Sequence, residues 1–114
     1  MSQIRNVAIL GSTGSIGRAA LDVLSHHSDS LRLVAISCSK QLELLEQQVS
    51  AFKPRYAFAL DSESHEANKW AQKNQADDGV TRRSDSHENL LRLMESQEVD
   101  TVVGGHRLEQ GPEV

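Results

Sequence analysis

Cysteine, proline and aromatic residues are scarce in this 114-residue chain: one cysteine (Cys38), two prolines and four aromatics (Phe52, Tyr56, Phe58 and Trp70). A single cysteine excludes an internal disulfide framework and a zinc site built on several thiolates. It points to a reducing, cytoplasmic compartment. With so few rings, a core must rest on Leu, Val, Ile and Ala. No apolar run approaches the ~20 residues that a membrane-spanning helix needs. The opening Met-Ser-Gln-Ile-Arg-Asn leads into too short an apolar stretch for a signal peptide. Basic charge is also short: the formal net charge is −4. Residues 1–40 carry four basic and two acidic side chains, and residues 41–114 carry eight against fourteen. That balance argues against general nucleic-acid binding, which needs a basic face, but leaves room for a local anion site near the start.

What is present is an alternation of strand and helix patterns over a length suited to one small domain. Val7-Ala8-Ile9-Leu10, stopped by Gly11, reads as a strand buried on both faces. Ser15 or a neighbour is expected to cap a helix to about residue 25, with Ile16, Ala20, Val23 and Leu24 as its inward stripe. A second strand covers 31–37. A second helix covers about 41–52 through Leu42, Leu45, Val49 and Phe52. Pro54 ends it and is expected to hold Lys53 extended. Residues 56–60 form a third strand. Asp61 or Ser62 opens a third helix to about 74, with Ala67, Trp70 and Ala71 inward. Asp77-Asp78-Gly79 reads as a turn, and Val80 begins a short extended piece. A fourth helix covers 86–97 through Leu90, Leu93 and Met94, and a fourth strand covers 100–103. Residues 104–114 have no periodicity and read as an irregular tail. The expected fold is α/β: part of a Rossmann-like, doubly wound parallel sheet of four to five strands, in the order 3-2-1-4.

Gly11-Ser12-Thr13-Gly14-Ser15-Ile16-Gly17 sits between the first strand and the first helix, where a phosphate-binding loop belongs. Gly11 makes the turn out of the strand, Gly14 leaves room for a pyrophosphate, and Gly17 lets helix and strand pack closely. Amides at the helix start and the positive end of its dipole favour phosphate oxygens, with hydroxyls of Ser12, Thr13 and Ser15 as added donors. The spacing is Gly-x-x-Gly-x-x-Gly. It is neither the commonest NAD pattern nor a P-loop, because no Gly-Lys-Ser/Thr follows.

The turn after the second strand decides the cofactor. An NAD site places a carboxylate there for the ribose 2′-hydroxyl. Ser37-Cys38-Ser39-Lys40-Gln41 has none, and Lys40 with its hydroxyl and amide neighbours would attract a 2′-phosphate. NADP(H) is therefore expected over NAD(H). Other candidates read as structural. Cys38 is a small, partly buried residue. His26 and His27 end a helix in solvent. His65, His87 and His106 lack ligand spacing, Trp70 is core, and Arg82-Arg83 is a solvated turn. No catalytic acid, base, nucleophile or metal cluster can be assembled.

Residues 7–17, followed by Leu21-Asp22-Val23, closely resemble the start of the 1-deoxy-D-xylulose 5-phosphate reductoisomerases. The likeness continues through Leu33-Val34-Ala35, Ser39-Lys40-Gln41, Phe52-Lys53-Pro54-Arg55-Tyr56-Ala57 and Val99-Asp100-Thr101-Val102-Val103, and covers roughly residues 4–103. The resemblance implies the NADPH-binding portion of a cytoplasmic oxidoreductase of isoprene biosynthesis. Such an enzyme rearranges and reduces 1-deoxy-D-xylulose 5-phosphate to 2-C-methyl-D-erythritol 4-phosphate in the methylerythritol phosphate pathway. It uses NADPH and is metal-binding, with Mg²⁺ or Mn²⁺, and a homodimer is implied for the full-length enzyme. Carried over, Thr13, Gly14, Ser15 and Ile16 would hold the pyrophosphate side, and Ser39, Lys40 and Gln41 the adenosine-phosphate turn. The family usually has Gly-x-Asn where this chain has Ser39-Lys40-Gln41. The family's metal and substrate residues lie beyond this stretch, so the chain is expected to be a truncated fragment, inactive alone. Two other readings stand beside it. One is another NADP-dependent reductase, which would show a catalytic cysteine or Tyr-x-x-x-Lys. The other is a non-catalytic NADP(H)-binding module.

Overall fold

The computed structural model describes residues 4–60, 65–72 and 81–104. Val7, Ala8, Ile9 and Leu10 are all buried in the strand β1 (Arg5–Leu10), as a strand covered on both faces requires. The chain continues through α1 (Ser15–Ser25), β2 (Leu31–Cys38), α2 (Leu42–Phe52), β3 (Tyr56–Ala59), α3 (His65–Ala71), β4 (Arg82–Ser84), α4 (His87–Glu95) and β5 (Thr101–Gly104). All pairings are parallel, in the order β4-β3-β2-β1-β5. The chain steps outward from β1 to β4, then returns to the other side of β1 as β5. The switch point of the doubly wound sheet therefore lies between β1 and β5.

Two cores cover the two faces. On one, Val7, Ile9 and Ile36 pack with Leu21 and Leu24 of α1, Leu45 and Val49 of α2, and Ala67 and Trp70 of α3. On the other, Ala8, Leu10, Val34, Ala35 and Phe58 pack under Leu90 and Leu93 of α4. Each fully buried Ile or Leu contributes about 1.5–3 kcal/mol. Strict alternation would send Val34 and Ala35 to opposite faces. The register instead moves from Val7↔Leu33 to Ala8↔Ala35, and the unmatched Val34 shares a face with Ala35, as a bulge allows.

The order 3-2-1-4 holds for the four strands expected from sequence. The fifth, β4, adds to the outer edge, two residues beyond the extended piece expected at Val80. Three local expectations are corrected. Ile16 and Val23 are 58% and 52% exposed, and Gly17, Leu21 and Leu24 are the buried residues of α1. The reason is Gly17, which rests on the backbone of Gly11 and Ser12 and sets the helix rotation. Lys53 is left-handed (φ 49°, ψ 55°), not extended. Its amide donates to the Val49 carbonyl (2.8 Å), closing α2 before the buried Pro54. Arg82 and Arg83 are not a solvated turn. They lie in β4, and the Arg83 side chain is 1% exposed.

Helix α4 starts as expected: Ser86 accepts at its Oγ from the Asn89 amide (3.1 Å). Helix α1 does not use a serine cap. Gly14 is its N-cap, without a side-chain bond. The expected caps Asp61 and Ser62, the turn at 77–79 and residues 105–114 lie outside the described residues. Gly104, placed at the head of the tail, is the last residue of β5. No helix among the described residues is long and apolar enough to cross a membrane.

Candidate functional site

Parallel pairing of Leu10 with Ser37 brings the ends of β1 and β2 side by side. The loops that follow them, 11–14 and 39–41, thus emerge together. Gly11 turns out of the strand with φ 76°, which an L side chain rarely adopts. The next residue is tied to the sheet. The Gly11 amide donates to Ser37 Oγ (3.2 Å), and the Ser12 amide donates to the Ser37 carbonyl (2.7 Å). A Cβ on Gly17 would overlap the Gly11 carbonyl oxygen and lie 2.6 Å from Ser12 Cα. Glycine at 17 is therefore a packing requirement.

Gly14 differs. Its backbone is extended (φ −82°, ψ 176°), and a Cβ there would meet only the Gly11 carbonyl oxygen, at the ordinary contact distance of 3.5 Å. The chain's own packing does not demand glycine at 14, and its outer side is open. Among the described residues nothing accepts from the amides of Ser15 and Ile16, and α1 has no acidic residue in its first turn. Thr13 is half-buried and Gly14, Ser15 and Ile16 are exposed. These four present an uncharged, amide-rich surface at a helix N-terminus, which suits phosphate oxygens.

Ser12 departs from the expectation. Its hydroxyl is fully buried and donates to Gln48 Oε1 (2.7 Å), while Gln48 Nε2 donates back to the Ser12 carbonyl (2.9 Å). It is therefore not a ligand donor. Gln48 is the residue that sequence reasoning missed. The helical spacing of α2 puts it beside Leu45 on the inward face, and a polar residue at a core position was the available signal.

Ser39, Lys40 and Gln41 are all exposed, and Gln41 is the N-cap of α2. Lys40 makes no ion pair among the described residues. Beneath this turn, burial pushes the Cys38 thiol up from its ordinary 9.0 to about 11, against a hydrogen bond from the Gln41 amide that lowers it. Cys38 is fully buried rather than partly so, and is a core residue. The distant side chains stay distant: His26 and His27 are exposed beyond α1, and His87 Nε2 sits 3.0 Å from the Leu60 carbonyl. His106 lies outside the described residues.

Arg83 is part of a separate network at the sheet edge. Its Nη2 and Nε bond Glu46 Oε2 (2.9 Å) and Oε1 (3.3 Å), and its guanidinium lies 5.8 Å from the Trp70 ring centroid. Trp70 Nε1 donates to the same Glu46 Oε1 (2.8 Å). Two of the chain's clefts lie among the described residues. One of about 440 Å³ lies between the β3–β4 edge and α4, lined by Tyr56, Phe58, Arg82 and Leu93. The other, about 470 Å³, lies between α2 and α3. Neither touches the glycine loop.

The family model for 1-deoxy-D-xylulose 5-phosphate reductoisomerase matches residues 7–109. The chain belongs to this family. The match takes in both loops and runs past the end of β5. The reductoisomerase of Nitrosomonas europaea is 35% identical over 103 residues, covering 90% of this chain and 24% of that protein. The reductoisomerase of Nitrosospira multiformis is 46% identical over 66 residues, covering 58% of this chain and 17% of that protein. A crystal structure of DOX-P reductoisomerase in complex with NADPH, fosmidomycin and magnesium matches with a TM-score of 0.73 and 27% identity, over 87% of this chain and 24% of that one. The chain thus spans about a quarter or less of the length of these reductoisomerases.

Among the described residues, the donor set at the two loops fits a dinucleotide phosphate: the Ser15 and Ile16 amides have no acceptor, Gly14 is open and Lys40 makes no ion pair. A metal is a different matter. Among the described residues no group of three or more His, Cys, Asp or Glu could hold an ion. No role for a metal is therefore assigned to them.

Proposed function

We propose that this chain is the NADPH-binding part of an oxidoreductase that converts 1-deoxy-D-xylulose 5-phosphate to 2-C-methyl-D-erythritol 4-phosphate, the reaction for which its family is named. The observation that carries the reading is the juxtaposition of two turns at the neighbouring ends of β1 and β2, one rich in open amides and the other bearing Lys40. Thr13, Gly14, Ser15 and Ile16 would hold the pyrophosphate: the Gly14 amide donates to the Gly11 carbonyl (3.0 Å), the Ser15 and Ile16 amides have no acceptor among the described residues, and Gly14 admits close approach. Ser39, Lys40 and Gln41 would hold the adenosine 2′-phosphate, with Lys40 supplying the charge. When bound, NADPH supplies the hydride for the reduction. The residues of this chain bind and orient it, and no proton transfer is assigned to them.

The family match and the presence of NADPH in a related crystal structure support this reading. It extends, for the whole protein, to a cytoplasmic homodimer that uses Mg²⁺ or Mn²⁺ on residues other than those described. Titration of the chain with NADPH and NADH, followed by reduced-nicotinamide fluorescence, tests it. NADPH should bind at least about tenfold more tightly, as one charge-assisted contact to the 2′-phosphate requires. Equal affinities, or no binding of either, would refute it.

A further inference from the structure

Gln48 is the buried polar residue of α2, and both functions of its amide go to one residue. It accepts from the Ser12 hydroxyl (2.7 Å) and donates to the Ser12 carbonyl (2.9 Å). A buried amide is tolerated when donor and acceptor are both satisfied, and an apolar side chain of the same volume satisfies neither partner. Ser12 is thereby held from three sides. Ser37 of β2 holds its amide, Gly17 of α1 packs on its Cα, and Gln48 of α2 holds its carbonyl and hydroxyl. The residues on either side of it are Gly11, at positive φ, and Thr13, the first residue of the open amide surface. Gln48 lies seven residues beyond Gln41, so at about 1.5 Å per residue it sits roughly 10 Å down the helix from the Lys40 turn. It reaches neither phosphate group directly.

We infer that Gln48 is a positioning residue for the dinucleotide site. By clamping Ser12 it sets the path of the glycine loop, and it locks that loop to the helix whose first turn follows Lys40. The inference rests on the NADPH reading above and assigns that site a determinant which touches no ligand. A residue that merely stabilises the fold would affect all ligands of the folded protein alike. A residue that sets the loop affects those that need the loop.

The test uses the full 114-residue chain, with Gln48→Leu, Gln48→Glu and Ser12→Ala. Affinities for NADPH and for adenosine 2′-phosphate are measured at a temperature where circular dichroism shows each variant folded. Adenosine 2′-phosphate carries the group proposed for the Lys40 turn but no pyrophosphate. Gln48→Leu should weaken NADPH about fivefold to tenfold, the size of one lost hydrogen bond, and leave adenosine 2′-phosphate within about twofold. Gln48→Glu keeps the acceptor for the Ser12 hydroxyl but loses the donor, and should fall between wild type and Gln48→Leu. Ser12→Ala combined with Gln48→Leu should cost no more than the worse single change, because the two act through one contact. If wild type binds NADPH and folded Gln48→Leu binds it as tightly, the inference is overturned. Equal weakening of both ligands, or failure of all three variants to fold, overturns it as well and marks Gln48 as structural. A wild-type chain that binds neither ligand overturns the cofactor reading, and the inference with it.

Discussion

The inner end of the sheet, where β1 and β2 release their loops, and its outer edge at β4 are both held by buried polar groups. They spend those groups differently. At the inner end the network is neutral: below the surface Ser12 is bonded to both Ser37 and Gln48, and Ser37 Oγ accepts from the Gly11 amide. The Ser15 and Ile16 amides of the α1 first turn remain above it, with no acceptor among the described residues. At the outer edge the network is charged. Arg83, Glu46 and Trp70 turn their polar atoms toward each other across β4, α2 and α3. One arrangement leaves donors for a ligand and the other uses them to fasten an edge strand of three residues. A cation in the sequence is therefore not an anion site by itself. Lys40 and Arg83 carry the same charge, and burial beside a carboxylate separates their roles.

Changes at the two places should separate stability from binding. The largest effect is expected at the inner end itself. Gly17→Ala should destabilise the chain by about 3 kcal/mol or more, because the added Cβ meets backbone that cannot rotate away. Urea unfolding would measure it, and a loss under about 1 kcal/mol would show the approach of helix to loop to be looser than described. At the outer edge, Arg83→Ala should cost about 2–3 kcal/mol. That is less than for a fully buried pair, since Glu46 keeps part of its surface in water. The same variant should bind NADPH with unchanged affinity, and a parallel loss of affinity would erase the contrast between the two regions. Lys40→Ala is the converse case. Stability should stay within about 0.5 kcal/mol, as for an exposed side chain, while NADPH weakens by about tenfold or more and NADH is unaffected.

The last effect is a pH dependence at the inner end, confined to alkaline solution. Cys38 has its thiol raised to about 11 by burial, so the folded chain holds that proton more tightly than the unfolded chain does. The resulting stability is complete below pH 9 and is lost as pH rises toward 11. Thermal melts of wild type should therefore fall more steeply over that interval than those of Cys38→Ala. Equal slopes would mean that the thiol is not desolvated.

Much of this protein was legible in the residue order because the signals are local and periodic. A four-residue apolar run ending at Gly11 marks the first strand. Leu45 and Val49 mark the inward face of α2, and Leu90 and Leu93 that of α4. The heptapeptide 11–17 marks the turn where a phosphate loop belongs. These follow from the 2-residue and 3.6-residue periods and from glycine's freedom at positive φ, which act within a few neighbours. The candidate site was legible to the same depth: its two turns could be named, together with the Lys40 charge.

Contacts between distant segments could not be read in this way. Ile16 and Val23 fit a helical stripe but face solvent, because the rotation of α1 is set by Gly17 against Gly11 and Ser12. Ser12 resembles a ligand donor until Gln48, 36 residues away, takes its hydroxyl. Arg83 reads as solvated until Glu46 and Trp70 close over it. Lys53 takes a left-handed turn because the end of α2 needs its amide. In each case the deciding partner lies on another element or is a backbone group, so its effect exists only after the sheet and helices have assembled. The residue order alone determined which elements form and where phosphate donors can lie. The tertiary structure decided which polar groups are consumed inside and which remain for a ligand.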